Sequence, residues 1–173
     1  MANTVISQLE FNDISELVLS EDDEECIDEA MYISKALAHN YSVNVIRLNE
    51  YLACLRNDDR TEFIEAIGSA LSIQEVHIDG GLIQVDDLVA LLFCAKTLKV
   101  LKLKNVVLQV IQEHFQELER SLYHKDLKDF ALENVTPAVE GIDTSNLVHL
   151  VSEKKGGGPV PIVVQVETRA RGA

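Results

Sequence analysis

Leu98-Lys-Val-Leu101-Lys-Leu103 sets leucine at the first, fourth and sixth places of a six-residue phrase. The same apolar places recur in Ile14-x-x-Leu17-x-Leu19, Val43-x-x-Ile46-x-Leu48, Ile73-x-x-Val76-x-Ile78 and Leu127-x-x-Phe130-x-Leu132. The five starts are 29, 30, 25 and 29 residues apart. Self-similarity at a period of that size marks an array of stacked units. Within a phrase the fourth and sixth residues are two apart, so on a strand they share one face, here the buried one.

An amphipathic run follows each strand. Ile27, Ala30, Met31, Ser34 and Leu37 fall at helical spacing, as do Phe63, Ala66, Ile67 and Ala70. So do Leu88, Leu91, Leu92 and Ala95, and again Ile111, Phe115, Leu118 and Leu122. Thr61 before Glu62, and the pair Asp86-Asp87, suit helix N-termini. One strand and one helix cannot bury their apolar faces alone, whereas stacked units share a continuous core. Strand-helix-strand alternation predicts parallel strands wound in a right-handed coil.

The phrase followed by a helix at this period resembles the leucine-rich repeat, in its longer, intracellular, ribonuclease-inhibitor-like subclass. The clearest unit is Leu98-Lys-Val-Leu101-Lys-Leu103-Lys-Asn-Val-Val-Leu108. The family places Asn or Cys five residues after the second leucine. This chain has Asp22, Tyr51, Gly81, Val106 and Val135 there, with Asn105 and Asn134 one position early. The resemblance covers roughly residues 14 to 151. It implies an α/β fold: a right-handed leucine-rich-repeat solenoid, or horseshoe, of about five repeats with a parallel inner β-sheet and outer helices.

Residues 1–13 form a candidate N-terminal cap, in which Val5, Ile6, Leu9 and Phe11 are apolar enough to cover the first unit. The repeat domain is expected over 14–151, closed by a short helix at Leu147-Val-His-Leu150-Val. Glu-Lys-Lys-Gly-Gly-Gly-Pro then marks a Gly/Pro linker opening a tail over 152–173. Within that tail Pro161-Ile-Val-Val-Gln-Val166 reads as an edge strand against Leu127–Leu132 or as a free segment.

The 173-residue chain is 47% hydrophobic and 25% charged, the composition of a globular domain. It has no apolar run of about 18 residues, so no spanning helix and no membrane partner are expected. The start lacks the pattern of a signal peptide. Cys26, Cys54 and Cys94 are odd in number and lack metal-ligand spacing, which suits a reducing cytoplasmic setting, with the nucleus also open. Cys94, in Leu91-Leu92-Phe93-Cys94, is expected to be a small core residue. Net charge is -14, and residues 1–65 hold 15 acids against 4 basic residues. Such a field repels phosphates and argues against a nucleic-acid partner. The run Glu21-Asp22-Asp23-Glu24-Glu25 reads as a solvated turn whose acids favour the following helix start.

The motifs of catalysis are missing. Lys155-Gly-Gly-Gly has no following Lys-Ser or Lys-Thr, so it is not a phosphate loop. None of the five histidines makes a zinc-helix pair, and there is no Gly-x-Ser-x-Gly elbow. Glu75, His77 and Asp79 alternate along one strand, and are read as exposed polar residues rather than as a catalytic or metal set. No metal and no cofactor are expected.

Exposed residues of the phrases should form lateral columns about 4.8 Å apart. One column is Glu16, Val45, Glu75, Val100, Asp129; the next is Val18, Arg47, His77, Lys102, Ala131; the third is Ser20, Asn49, Asp79, Lys104, Glu133. Arg47, His77, Lys102 and Lys104 thus place a basic stripe in mid-sheet, framed by Glu75, Asp79, Asp129 and Glu133, with Asn49 beside them. Two readings stay open: a docking surface for an acidic or mixed-charge protein or peptide, or a face that neutralises itself. The resemblance implies a non-enzymatic protein-interaction scaffold. Relatives of that subclass also include small-GTPase activators and ubiquitin-ligase substrate receptors, which supply the alternative. Oligomeric state is not readable from the chain.

Overall fold

The computed structural model describes residues 4–109, 112–138 and 164–165. In chain order the elements are α1 (Thr4–Glu10), β1 (Glu16–Ser20), α2 (Glu24–Asp28), α3 (Ala30–Ala38), β2 (Val45–Asn49), α4 (Tyr51–Cys54), α5 (Asn57–Ser69) and β3 (Glu75–Asp79). They continue as β4 (Leu82–Gln84), α6 (Val85–Cys94), β5 (Val100–Lys104), β6 (Val107–Gln109), α7 (Gln112–His124), β7 (Asp129–Glu133), β8 (Thr136–Pro137) and β9 (Val164–Gln165). The result is a mixed α/β structure with parallel sheets and helices.

All five phrases end in strands of one parallel sheet, ordered β1-β2-β3-β5-β7-β9. The fourth and sixth residues of every phrase, Leu17/Leu19 through Phe130/Leu132, are 2% exposed or less. Each such side chain contributes about 1.5–3 kcal/mol of burial, so the pattern in the sequence is what holds the sheet. Helices α3, α5, α6 and α7 pack side by side in chain order. Their inward faces carry Ile33 and Leu37, Phe63 and Ile67, Leu88 and Leu92, and Leu118 and Leu122, all buried.

A second parallel sheet, β4-β6-β8, was not foreseen. It arises from the turn that ends each of three strands. Gly80, Asn105 and Asn134 sit at the left-handed φ values of +81°, +51° and +52°, and swing the chain into β4, β6 and β8. Glycine and asparagine tolerate that region best. The position that leucine-rich repeats fill with Asn or Cys is filled and buried by Tyr51, Val106 and Val135 in three of the units, with Asp22 and Gly81 in the other two. The polar ladder moves one residue earlier: Asn134 Nδ2 donates to Asn105 Oδ1 at 3.0 Å and Asn105 Nδ2 to Asp79 Oδ1 at 2.9 Å.

At the opposite end of the strands a hydroxyl ladder joins the entering turns. Ser42 donates to the Ile14 carbonyl, Ser72 to Val43 and Thr97 to Ile73, at 2.6, 2.7 and 2.7 Å. Each hydroxyl stands immediately before a phrase, a regularity present in the sequence but unread there. Buried Asn40 ties α1 down: it donates to the Leu9 carbonyl at 2.8 Å and accepts from the Val43 amide at 2.7 Å.

Several local expectations change. Of the N-terminal apolar residues, Leu9 is fully buried and Val5 and Ile6 pack on the core, but Phe11 is 74% exposed. The helical run from Ile27 is broken at Glu29 into α2 and α3, and Met31 faces outward. The third helix starts at Asn57 rather than at Thr61, whose hydroxyl instead donates to the Asn57 carbonyl one turn back. Cys94, at the end of α6 against Gly68 of α5, is half-buried rather than a core residue; Cys26 is the fully buried thiol. Val164 and Gln165 pair with Leu132 and Glu133. Ile111, the helix expected at 147–151 and the linker at 152–158 lie outside the described residues.

Candidate protein-binding face

The sheet pairing sets the exposed columns in exact lateral register. Val18, Arg47, His77, Lys102 and Ala131 are successive partners, as are Ser20, Asn49, Asp79, Lys104 and Glu133. Equal phrases on parallel strands impose this: each residue meets its counterpart one unit on.

The cations of the stripe do not stand alone. Arg47 Nε bonds Glu16 Oε1, and Arg47 Nη1 lies 3.2 Å from His77 Nδ1. A guanidinium only donates, so Nδ1 is the acceptor in this contact. On the other side of the ring Nε2 lies 2.8 Å from Glu75 Oε2. Glu16, Arg47, His77 and Glu75 thus form one continuous run of side-chain contacts. Further along, Lys102 Nζ is 3.7 Å from Asp129 Oδ2 and Lys104 Nζ is 3.3 Å from Glu133 Oε1. Asp79 accepts from Asn105. Asn49 is exposed and makes no side-chain hydrogen bond among the described residues, so it joins the face only by register.

These pairs are solvated. The side chains of Arg47, Lys102 and Lys104 are 46%, 42% and 49% exposed. Exposed pairs of this kind are worth about 0–1 kcal/mol. The geometry therefore neutralises the face at little energetic commitment for the solvated pairs Arg47–Glu16 and Lys104–Glu133, while Asp129 keeps Oδ1 buried. Reading the phrases missed Glu16, Asn105 and Asn134 as members of the network. Glu16 was visible in its column; the asparagines were signalled by their shared offset from the strand.

The acidic turn beside β1 behaves differently. Glu21 is raised above the ordinary carboxylate range by a hydrogen bond to Glu50 and by the charge of that neighbour. Cys54 stands close by, and burial first, then Glu21 and Glu50, push its thiol up. A thiol so shifted is a poor nucleophile. Among the described residues no group of three or more His, Cys, Asp or Glu is placed to hold a metal, and no helix is long and apolar enough to cross a membrane.

No family model matches the chain, and no curated protein matches it. Solved structures do. The C-terminal domain of tropomodulin from Caenorhabditis elegans superposes with a TM-score of 0.64 at 13% identity, over 87% of this chain and 89% of that one. Leiomodin-1 actin-binding site 2 superposes with a TM-score of 0.60 at 15% identity, over 87% of each. At such identities the likeness is one of fold, and it is consistent with a leucine-rich-repeat-like architecture. It corrects the expected subclass: the fold's neighbours are these domains, and a ribonuclease-inhibitor-like assignment is not upheld. The subclass reading rests on the repeat length and the helix, which are not specific to it, while the ladder position departs from the family, with Tyr51, Val106 and Val135 buried there.

Proposed function

We propose that this chain is a non-enzymatic protein-interaction module, and that its partner docks on the exposed face of the six-stranded sheet. In this reading the sheet lines the inside of a right-handed solenoid of five units spanning 14–151, capped by residues 1–13. The observation that carries it is the stripe of Arg47, His77 and Lys102 in one lateral register with Lys104 in the next, in which Arg47 and Lys104 pair with the solvated, exchangeable Glu16 and Glu133. Such a rigid face presents several cations at strand spacing, which gives a carboxylate-bearing surface electrostatic complementarity and register. Asn49, Glu75, Asp79, Asp129 and Glu133 complete the contact set.

The fold neighbours support a protein-binding role, one of them being named for an actin-binding site. Actin is therefore the first partner to try. Readings as a small-GTPase activator or a ubiquitin-ligase substrate receptor draw no support from those neighbours.

The test is affinity capture with the wild-type chain and with Arg47→Glu/Lys102→Glu side by side, together with co-sedimentation on actin filaments. The reading expects a partner retained by the wild type and lost from the folded double variant. Equal retention by both would sink the stripe as the docking surface, and actin sedimentation alone decides the identity of the partner.

A further inference from the structure

The six-stranded sheet has two ends, and they differ. At one end β7 is joined by β9. At the other, β1 pairs with β2 on one side and with no strand on the other among the described residues. Along a parallel strand alternate residues address the same neighbour. The Ser15 carbonyl accepts from Asn44 and Val45, and the Glu21 amide donates to Asn49, so the odd-numbered residues of β1 face β2. Glu16, Val18 and Ser20 therefore turn their backbone groups outward. The Ser20 carbonyl is taken by the Asp23 amide at 3.2 Å. The remaining five groups are the N–H and C=O of Glu16 and Val18 and the N–H of Ser20. Among the described residues no hydrogen bond engages them.

Proteins usually blunt such an edge with lysine, proline, a bulge or a covering element. The segment Glu16-Leu-Val-Leu-Ser20 contains no lysine or proline, and all five residues pair with β2 without a bulge. Val18 adds an apolar side chain, 51% exposed, in the middle of the edge. The charge around it has one sign. Asp13, Glu16, Glu21, Asp22 and Glu24 are exposed about the strand, and the first Lys or Arg of the chain is Lys35. Arg47 is the one cation in the adjacent register.

We propose that the outer edge of β1 accepts an extended, basic segment of a protein partner as an added strand. Main-chain hydrogen bonds to Glu16, Val18 and Ser20 supply the binding, as in other cases of strand addition. Charge complementarity selects the occupant: a lysine- or arginine-bearing strand meets Glu16 and the Glu21-Asp22 turn, with an apolar residue over Val18. A second copy of this chain is disfavoured, because antiparallel pairing of β1 with β1 would set the Glu21-Asp22 turn of each copy against Asp13 and Glu16 of the other. This surface adjoins the stripe at Glu16, which pairs with Arg47, but its binding groups are backbone groups on the outer side of β1, so Val18→Pro and Arg47→Glu/Lys102→Glu test the two readings apart.

The test uses a fluorescein-labelled peptide of alternating lysine and valine, an alternating glutamate and valine peptide as control, and anisotropy with the full chain. The basic peptide is expected to bind, the acidic one not, and affinity should fall about tenfold or more with added salt. Amide exchange at Glu16, Val18 and Ser20 should slow when the basic peptide is bound. Val18→Pro removes an outward N–H without touching the ladder to β2, the placement in which edge strands tolerate proline. It should weaken binding about tenfold or more while Val18→Thr, which keeps the N–H, stays within about threefold. Should Val18→Pro fail to fold, Val18→Lys keeps the N–H but sets a cation against the basic strand, and weakened binding is again expected. Unchanged binding in Val18→Pro or in Val18→Lys, or no slowing at the three amides, would overturn the proposal. So would a dimer that Val18→Pro makes monomeric while the basic peptide fails to bind the wild type.

Discussion

Gly68 lies inside α5, where alanine would ordinarily be favoured by about 1 kcal/mol. A Cβ there would sit 2.5 Å from Cys94 Cβ and 2.9 Å from the Cys94 carbonyl carbon and oxygen. Backbone of a neighbouring helix cannot step aside as a flexible side chain can. Overpacking of this kind costs about 1–3 kcal/mol, so Gly68→Ala is expected to lower stability in urea denaturation despite its helix propensity. Tyr51 makes a second point about a single side chain. It is fully buried, packs edge-on against Phe63 with ring centroids 5.5 Å apart, and donates its hydroxyl to the Cys26 carbonyl at 2.9 Å. Tyr51→Phe removes that hydrogen bond and should cost about 0.5–1.5 kcal/mol. Burial pushes the Tyr51 phenol well above its ordinary value of 10.0, with nearby acids adding to the shift. The folded state thus holds the proton that the unfolded state gives up. Stability present below pH 10 is lost as pH rises beyond it, and Tyr51→Phe should flatten that alkaline loss in pH-dependent melting. Neither residue announced its role in the sequence. The contact of Gly68 with Cys94 joins positions 26 apart (94 minus 68), and Tyr51 looked like a failed ladder position rather than a core anchor.

Strands were legible because their period of two is short and repeated in five phrases, so the register followed as soon as the phrases were aligned. The second sheet was not. β4 and β6 are three residues each, Leu82-Ile-Gln and Val107-Leu-Gln, and segments that short carry no periodicity. Helix starts were misplaced for a related reason. Asn57 opens α5 with Asp58 and Asp59 in its first turn, an equally good acidic start four residues before Thr61. Between elements the hydroxyl ladder predicts that Ser72→Ala, by baring the Val43 carbonyl, destabilises by about 1 kcal/mol in thermal unfolding. Helices α5 and α6 are also joined by an ion pair, Arg60 Nε to Asp87 Oδ2 at 2.7 Å, with side chains only 12% and 15% exposed. Burial raises Asp87 above its ordinary range more than Arg60 lowers it, so desolvation outweighs the attraction. Removing one partner strands the other, whereas replacing both by apolar residues is often neutral or stabilising. Arg60→Met alone should therefore destabilise, and Arg60→Met/Asp87→Leu should recover most or all of the loss in a double-mutant cycle.

Across the whole molecule the charge of -14 and the mixed stripe describe different things. Net charge sets what the protein repels at a distance; the columns set what it meets on contact. The columns could be read from the sequence because parallel pairing brings equivalent residues together, which is why Arg47, His77, Lys102 and Lys104 fall in adjoining positions. Which acid each cation takes was not readable, since it depends on rotamers: Arg47 turns toward Glu16 and His77, while Lys102 and Lys104 reach forward to Asp129 and Glu133. Exposed pairs of this strength add little to folding, so reversing two charges should leave the melting temperature nearly unchanged while altering what the face attracts. The most direct test is the amount of partner retained by wild type and by Arg47→Glu/Lys102→Glu at matched folded concentration, with cooperative melting verified for both. Retention reduced about tenfold or more in a variant that melts like the wild type is the predicted result. Equal retention by the two folded proteins would contradict the sheet face as the site of binding.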